Sequence, residues 1–218
     1  MKHVIFDMDG VIFDTELLMI QCWEAVASRE GMADVRNCCL QCVGRNSADT
    51  QAIFRQRYGS DFPVDRLRAE VVADFRNRID HYGPPLKAHA RELILFLKSR
   101  GYILGLASST DSAIVRRELA QADLLHCFDQ VVGGDQVEHS KPNPDIFLRA
   151  CSLLKCRPQD AYVIEDSSNG IKAAYLAGTK PILVPDIIPP TPEMISMSLH
   201  CFETLEEVKV FFGNEGSS

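Results

Sequence analysis

The sequence predicts an α/β fold: a parallel sheet between two helical layers, with an all-helical domain inserted after the first strand. Three features point there. Short apolar runs recur along the chain. They alternate with amphipathic stretches of helical period, and the alternation lapses from about Thr15 to Tyr82, where only helical patterns occur. Strands buried on both faces read as continuous apolar runs, and their alternation with helices implies parallel pairing with cover on both sides.

The elements follow in order. The expected strands are Val4–Phe6, Tyr102–Ala107, Gln130–Val132, Ala161–Ile164 and Pro181–Val184. Ala90–Arg100 is expected to be helical, with Lys98 and Arg100 in its last turn and Gly101 as its stop. Ser112–Ala122 follows, with Asp111 placed to cap its N-terminus. Pro144–Leu154 and Ile171–Ala177 are the remaining helices, the latter closed by Gly178. Gly83-Pro84-Pro85 marks a turn at the end of the insertion. The expected organisation is therefore a three-layer, Rossmann-like core from residues 1–14 and 83–218, with a helical domain over 15–82. Hinges are expected near Phe13–Thr15 and His81–Pro85, and Gly213–Ser218 is expected to be a frayed tail.

Composition narrows the function classes. The chain has 218 residues, enough for a core plus a small inserted domain. Its net charge of −7 gives no reason to expect a nucleic-acid partner. The first apolar run is cut at once by Asp7, so no signal peptide is expected, and no apolar run is long enough to span a bilayer. A soluble, cytoplasmic protein is the expectation. Eight cysteines include one C-x-x-C pair, Cys39 and Cys42. With no second ligand pair at zinc-site spacing, these are expected to be reduced cysteines in a helical region.

The chemistry gathers after the strands. Ligands of open parallel sheets bind at the carboxyl ends of the strands. There the sequence places Asp7-Met8-Asp9-Gly10-Val11, Ser108-Ser109-Thr110, Ser140-Lys141-Pro142 and Glu165-Asp166-Ser167-Ser168. Asp7 and Asp9 share a face of an extended chain, and Asp166 approaches them if its strand lies beside the first. Clustered carboxylates repel unless a cation or proton offsets them, and hard oxygen ligands suit Mg2+, which also engages substrate phosphate. Lys141 supplies positive charge for phosphoryl oxygens. Ser108 and Ser109 lie just before a helix N-terminus, where hydroxyls and amides serve the same purpose. Any one of these segments alone reads as a turn, a cap or a solvated lysine. Four in this order, each after an apolar run, read as a site for a phosphate and a divalent cation.

With those residues in hand, the chain resembles the haloacid dehalogenase superfamily of phosphohydrolases over nearly its whole length. The likeness rests on Asp7-Met8-Asp9-Gly10-Val11, Ser108 after a hydrophobic strand, Lys141 in Lys-Pro-Asn-Pro-Asp, and Glu165-Asp166-Ser167 followed by Asn169-Gly170-Ile171. It is similar in wording to the branch that holds β-phosphoglucomutase and related phosphatases, which carries a helical cap after the first strand. The resemblance implies that Asp7 attacks phosphorus to give an aspartyl-phosphate. Asp9 would protonate the leaving oxygen and then activate water. It implies Mg2+ held by the Asp7 side chain, the Asp9 carbonyl and Asp166, with Glu165 a further or outer ligand. Ser108 and Lys141 would hold the phosphoryl group, and Asn169 a metal-bound water.

The inserted domain should select the substrate, a small phosphorylated metabolite. Thr15, Glu16, Trp23 and the Gly44-Arg45-Asn46-Ser47 turn are the candidates to face it, with Arg45 placed to contact a second anionic group, and Trp23 read first as core packing. The resemblance implies that a mutase carries a histidine one turn beyond Asp14-Thr15. Met19 and its neighbours stand there instead, and positions 15–50 offer only Arg29, Arg36 and Arg45 as cations for a bisphosphate. Hydrolysis is therefore expected over a β-phosphoglucomutase-type transfer. A monomer is the default expectation for a capped enzyme of this size.

Overall fold

The computed structural model describes residues 2–43 and 47–214. The chain divides into two compact units, one formed by Met1–Asp14 with Leu86–Ser218 and the other by Thr15–Pro85. In chain order the elements begin with β1 (His3–Phe6) and continue through α1 (Thr15–Glu30), α2 (Val35–Cys42), α3 (Ser47–Tyr58) and α4 (Val64–Tyr82). The chain then re-enters the first unit with α5 (Ala90–Ser99), β2 (Ile103–Ala107), α6 (Ser112–Gln121), β3 (Gln130–Val132), α7 (Asp145–Leu153) and β4 (Ala161–Glu165). It ends with α8 (Ser168–Leu176), β5 (Lys180–Leu183), α9 (Pro192–Met197), β6 (His200–Cys201) and α10 (Leu205–Asn214).

The larger unit is a six-stranded sheet in the order β3-β2-β1-β4-β5-β6, parallel throughout. Alternate side chains of a strand point to opposite faces, and β1 shows what each face meets. Val4 and Phe6 join the cluster that holds Leu93, Leu97 and Phe212 of α5 and α10, whereas Ile5 joins Phe147, Ala150 and Ala174 of α7 and α8. α5 buries Ala90, Leu93, Ile94 and Leu97, the spacing of one helical stripe. Chain order reverses direction in the sheet at β1, since β2 and β3 lie to one side and β4 to the other. That switch opens a crevice between the carboxyl ends of β1 and β4. Register fixes its walls: Phe6 pairs with Ile164, so Asp7 leaves β1 beside Glu165 as it leaves β4.

The smaller unit is entirely helical among its described residues. Trp23 of α1 stacks near Phe54 of α3 at 4.5 Å between ring centroids, and Leu67 and Val71 of α4 are buried with them. Arg66 bridges Glu30 and Glu70 at 3.2 and 2.7 Å, linking α1 to α4. Exposed pairs of this kind contribute at most about 1 kcal/mol each, so the apolar core carries the unit. None of the eight cysteines is in a disulfide. Burial pushes the Cys39 thiol up to about 12 and the Cys38 thiol up to about 11, the opposite of what thiolate chemistry needs.

The elements differ from expectation at identifiable points. α8 starts at Ser168 rather than Ile171, because the Ser167 hydroxyl accepts from the Gly170 N–H and caps the helix. β6 escapes notice because two residues, one of them histidine, form no apolar run. Gly213 and Asn214 belong to α10 rather than to a tail, since Leu205, Val208 and Phe212 anchor that helix in the core; residues 215–218 lie outside the described set. No helix among the described residues is long and apolar enough to cross a membrane.

Phe212 is fully buried, with its ring 5.4 Å from that of Tyr102 and 5.2 Å from that of Tyr162. Phe212→Ala is expected to lower stability by about 3–5 kcal/mol, read as a drop in the urea midpoint. An unchanged midpoint would show that α10 is not part of the core.

Candidate active site

The crevice at the carboxyl ends of β1 and β4 gathers the four sequence segments through one buried cation. The Lys141 ammonium donates to Asp7 Oδ1 at 2.5 Å, to Glu165 Oε1 at 2.8 Å and to the Ala107 carbonyl at 3.2 Å. An ammonium has three protons to donate, and each finds an acceptor from a different strand end: β1, β2 and β4. Burial disfavours the charged amine, yet the Asp7 and Glu165 carboxylates outweigh it and hold the Lys141 pKa above the usual lysine range. The Phe147 ring lies 4.9 Å beneath the ammonium and closes the core side.

Glu165 is fully buried and accepts on both oxygens. Oε1 takes Lys141, and Oε2 takes the Asp166 N–H at 2.9 Å, the Ser167 N–H at 2.8 Å and the Ser167 hydroxyl at 3.0 Å. The turn after β4 is thus wound around this carboxylate. A Cβ at Gly170 would fall on the Glu165 carboxyl group, so the first turn of α8 approaches it only because Gly170 has no side chain.

Asp7, Glu165 and Asp166 each offer a carboxylate oxygen within 4.8 Å of the others. Burial drives the Asp7 pKa up to about 7, with Lys141 opposing and Glu165 and Asp9 adding to the rise. Asp166 is raised well above the carboxylate range by burial, then by Glu165 and Asp7. One lysine leaves this set with surplus negative charge. Such a donor set, all hard oxygens, fits a divalent cation. Gly10 turns the chain back past Asp166 at φ +80, a region open to glycine, and a Cβ there would collide with the Asp166 carboxylate.

Asp9 lies outside the carboxylate cluster and accepts from the Thr110 hydroxyl at 3.2 Å. Ser108 is buried, and its hydroxyl accepts from the Thr110 N–H at 3.1 Å. Ser109 is exposed beside it. Asp111 caps α6 by accepting from Ala113 N–H at 2.9 Å. The structure therefore brings Asp7, Asp9, Ser108, Lys141, Glu165 and Asp166 to one end of one sheet. Asn169 is exposed in the first turn of α8.

Thr15 and Glu16 open α1 in the helical unit. Glu16, Met19 and Trp23 line a cavity of about 280 Å³ there, with Phe54 and Arg68. Trp23 is buried, 6% exposed. Arg45 and its turn, residues 44–46, lie outside the described residues.

Sequence reasoning missed two partners. Thr110 carried a signal, since it closes Ser108-Ser109-Thr110, but only the fold shows its hydroxyl on Asp9. Lys87 carried none: after Pro84-Pro85 it reads as a solvated lysine. It is instead half-buried, ion-paired with Asp186 and 4.0 Å from Asp14 Oδ1. Its N–H donates to the Ile12 carbonyl at 2.9 Å, so it pins the two chain segments at the edge of the core unit to each other.

A family model described as haloacid dehalogenase-like hydrolase matches residues 4–184. The chain is 32% identical over 184 residues to a phosphorylated carbohydrates phosphatase of Thermotoga maritima, covering 84% of each chain. It is 33% identical over 184 residues to the fructose-1-phosphate phosphatase YqaB of Escherichia coli (strain K12), covering 80% of this chain and 92% of that one. Among solved structures, one from Thermotoga maritima, provisionally assigned as a β-phosphoglucomutase, superposes with a TM-score of 0.80 at 27% identity, covering 98% and 99% of the two chains.

Gly170→Ala must displace the Glu165 carboxylate and unseat Lys141. It is expected to lower stability by about 1–3 kcal/mol, measured by urea unfolding. A variant as stable as the parent would show that the carboxylate has room to move.

Proposed function

This chain belongs to the haloacid dehalogenase-like hydrolase family and is a phosphoric monoester hydrolase, and we propose that it releases phosphate from a small phosphorylated sugar or polyol through an aspartyl-phosphate on Asp7. The observation that carries the reading is the buried Lys141 between Asp7 and Glu165, with Asp166 within reach of both. The sugar-phosphate class rests on the relatives, a phosphorylated carbohydrates phosphatase and a fructose-1-phosphate phosphatase.

In the proposed reaction a carboxylate oxygen of Asp7 bonds to phosphorus as the ester P–O bond breaks. Lys141 grips Oδ1 and so fixes the rotation of the carboxylate before substrate arrives. Asp9 delivers a proton to the leaving oxygen. It then takes one from the water that attacks the aspartyl-phosphate, returning Asp7 as a carboxylate. The Thr110 hydroxyl orients Asp9 for both transfers. Ser108, Ser109 and the amides ahead of α6 receive the phosphoryl oxygens, together with Lys141.

Asp7, Asp166 and the Asp9 carbonyl would hold Mg2+, which when bound offsets the carboxylates and the anionic phosphate. Both Glu165 oxygens are already committed to Lys141 and to the turn after β4. Glu165 thus serves as the anchor of Lys141.

A mutase reading is favoured by one observation, the superposition on the structure assigned as a β-phosphoglucomutase. Met19, where the resemblance calls for a histidine, and the phosphatase relatives weigh against it. Incubation with β-glucose 1-phosphate and a bisphosphate activator decides: free phosphate should appear faster than glucose 6-phosphate, and the reverse order would establish the mutase.

Asp7→Asn is expected to lower aryl-phosphate hydrolysis by at least about 1,000-fold while leaving the circular dichroism spectrum unchanged; near-normal turnover would refute the nucleophile. Hydrolysis should cease in excess EDTA and return with Mg2+. Since Asp7 in the metal-free site holds its proton up to about pH 7, metal must displace that proton below this pH. With Asp166 raised as well, apparent Mg2+ affinity should then weaken by at least about tenfold per unit as pH falls below about 7, and a flat profile from pH 5 to 7 would contradict it.

A further inference from the structure

Three segments of the core unit meet in a charged cluster around Lys87. Asp14 closes the segment that follows β1, Lys87 is the second residue of the segment that re-enters the unit, and Asp186 follows β5. The Lys87 ammonium is ion-paired with Asp186 and lies 4.0 Å from Asp14 Oδ1. The paired side chains of Lys87 and Asp186 are 20% and 8% exposed, and Asp186 Oδ2 has no hydrogen-bond partner among the described residues. Burial lowers the Lys87 pKa, and the charges of Asp14 and Asp166 oppose it. An ion pair held this far from solvent returns little beyond the cost of its desolvation, and an apolar pair of similar volume is often as stable. Stability alone gives no reason for it.

The pair fixes the turn that carries Asp9. Within that turn the Met8 carbonyl accepts from the Ile12 and Phe13 N–H groups at 2.8 and 3.0 Å, and the Gly10 N–H donates to the Phe13 carbonyl at 2.8 Å. Phe13 forms bridges with Asp9 on one side and Leu86 on the other, and the Ile12 carbonyl accepts from the Lys87 N–H at 2.9 Å. Leu86 and Lys87 therefore border the turn, and the Lys87 side chain carries that border across to Asp186. Two residues before Asp186, the Val184 N–H donates to the Glu165 carbonyl at 2.8 Å. A continuous path thus runs from the Asp9 backbone through the ion pair to the end of β4. Leu86 also packs against the core, but apolar contact is non-directional. The ion pair sets the direction in which the border is held.

We propose that Lys87, through its ion pair with Asp186, is a positioning residue for Asp9, fixing the backbone from which the Asp9 carboxyl delivers its proton to the leaving oxygen as the P–O bond breaks. Thr110 steers the carboxyl itself. The inference rests on the acid role of Asp9 proposed above, and two aryl phosphates separate the two claims. Phenyl phosphate needs a proton on its leaving oxygen, whereas 2,4-dinitrophenyl phosphate releases a stable anion without one. With Mg2+ present, Lys87→Met should lower kcat/KM at least about tenfold for phenyl phosphate and less than about threefold for the dinitrophenyl ester. Asp186→Asn keeps the lysine and should show the same selective loss, and it decides alone if Lys87→Met folds poorly. Lys87→Arg should restore the wild-type ratio. Asp9→Asn calibrates the readout with a larger selective loss. Equal losses on both esters in Asp9→Asn would refute Asp9 as the acid and this role with it. A selective loss in Asp9→Asn beside parallel losses in Lys87→Met and Asp186→Asn would overturn the positioning role alone. Selectivity in Lys87→Met that Asp186→Asn does not share would overturn the part played by the ion pair.

Discussion

A lysine ammonium placed out of solvent between two carboxylates is the constraint around which the catalytic end of the sheet is arranged. Lys141 stays charged only because Asp7 and Glu165 outweigh the cost of burying it. In return it holds the Asp7 carboxylate in one orientation and ties together the ends of β1, β2 and β4. Removing either carboxylate would leave a buried charge half-compensated, so the chemistry and the local stability rest on the same three side chains. The glycines of the site follow from it: Gly170 lets α8 close on Glu165, and Gly10 lets the chain pass Asp166.

The remaining imbalance is functional. A single cation cannot neutralise Asp7, Glu165 and Asp166 together, and burial, with the neighbouring carboxylates adding to it, raises Asp7 and Asp166. At the end of β2 the Ser108 hydroxyl accepts from the Thr110 N–H, and Asp111 caps the start of α6. Asp7 and Asp9 follow β1, Ser108 and Thr110 follow β2, Lys141 follows β3, and Glu165 and Asp166 close β4. The sheet therefore serves as a rigid rack for these side chains.

Much of this was legible in the residues. The strands were legible because burial on both faces leaves uninterrupted apolar runs, and Asp111 was legible as a cap because it precedes a helical stripe. Where legibility failed, the cause was a contact distant in sequence or too short a pattern. Ser167 read as part of an acidic motif, so its capping of α8 was hidden. β6 is too short to show a period. Lys87 looks like any lysine after a proline turn until Asp186, about a hundred residues on, is folded against it.

The sequence by itself determined the inventory: an acid pair after the first strand, hydroxyls after the second, a lysine after the third, an acid pair after the fourth, and a helical insertion. Period, turn chemistry and residue type are local properties, so they survive in one dimension. Only the tertiary structure decided which oxygen each group holds. It set β4 beside β1 in a register that faces Glu165 with Asp7, committed Glu165 to Lys141, and put Thr110 on Asp9. Those choices depend on strand order and on the packing of residues far apart in the chain, which no local pattern encodes.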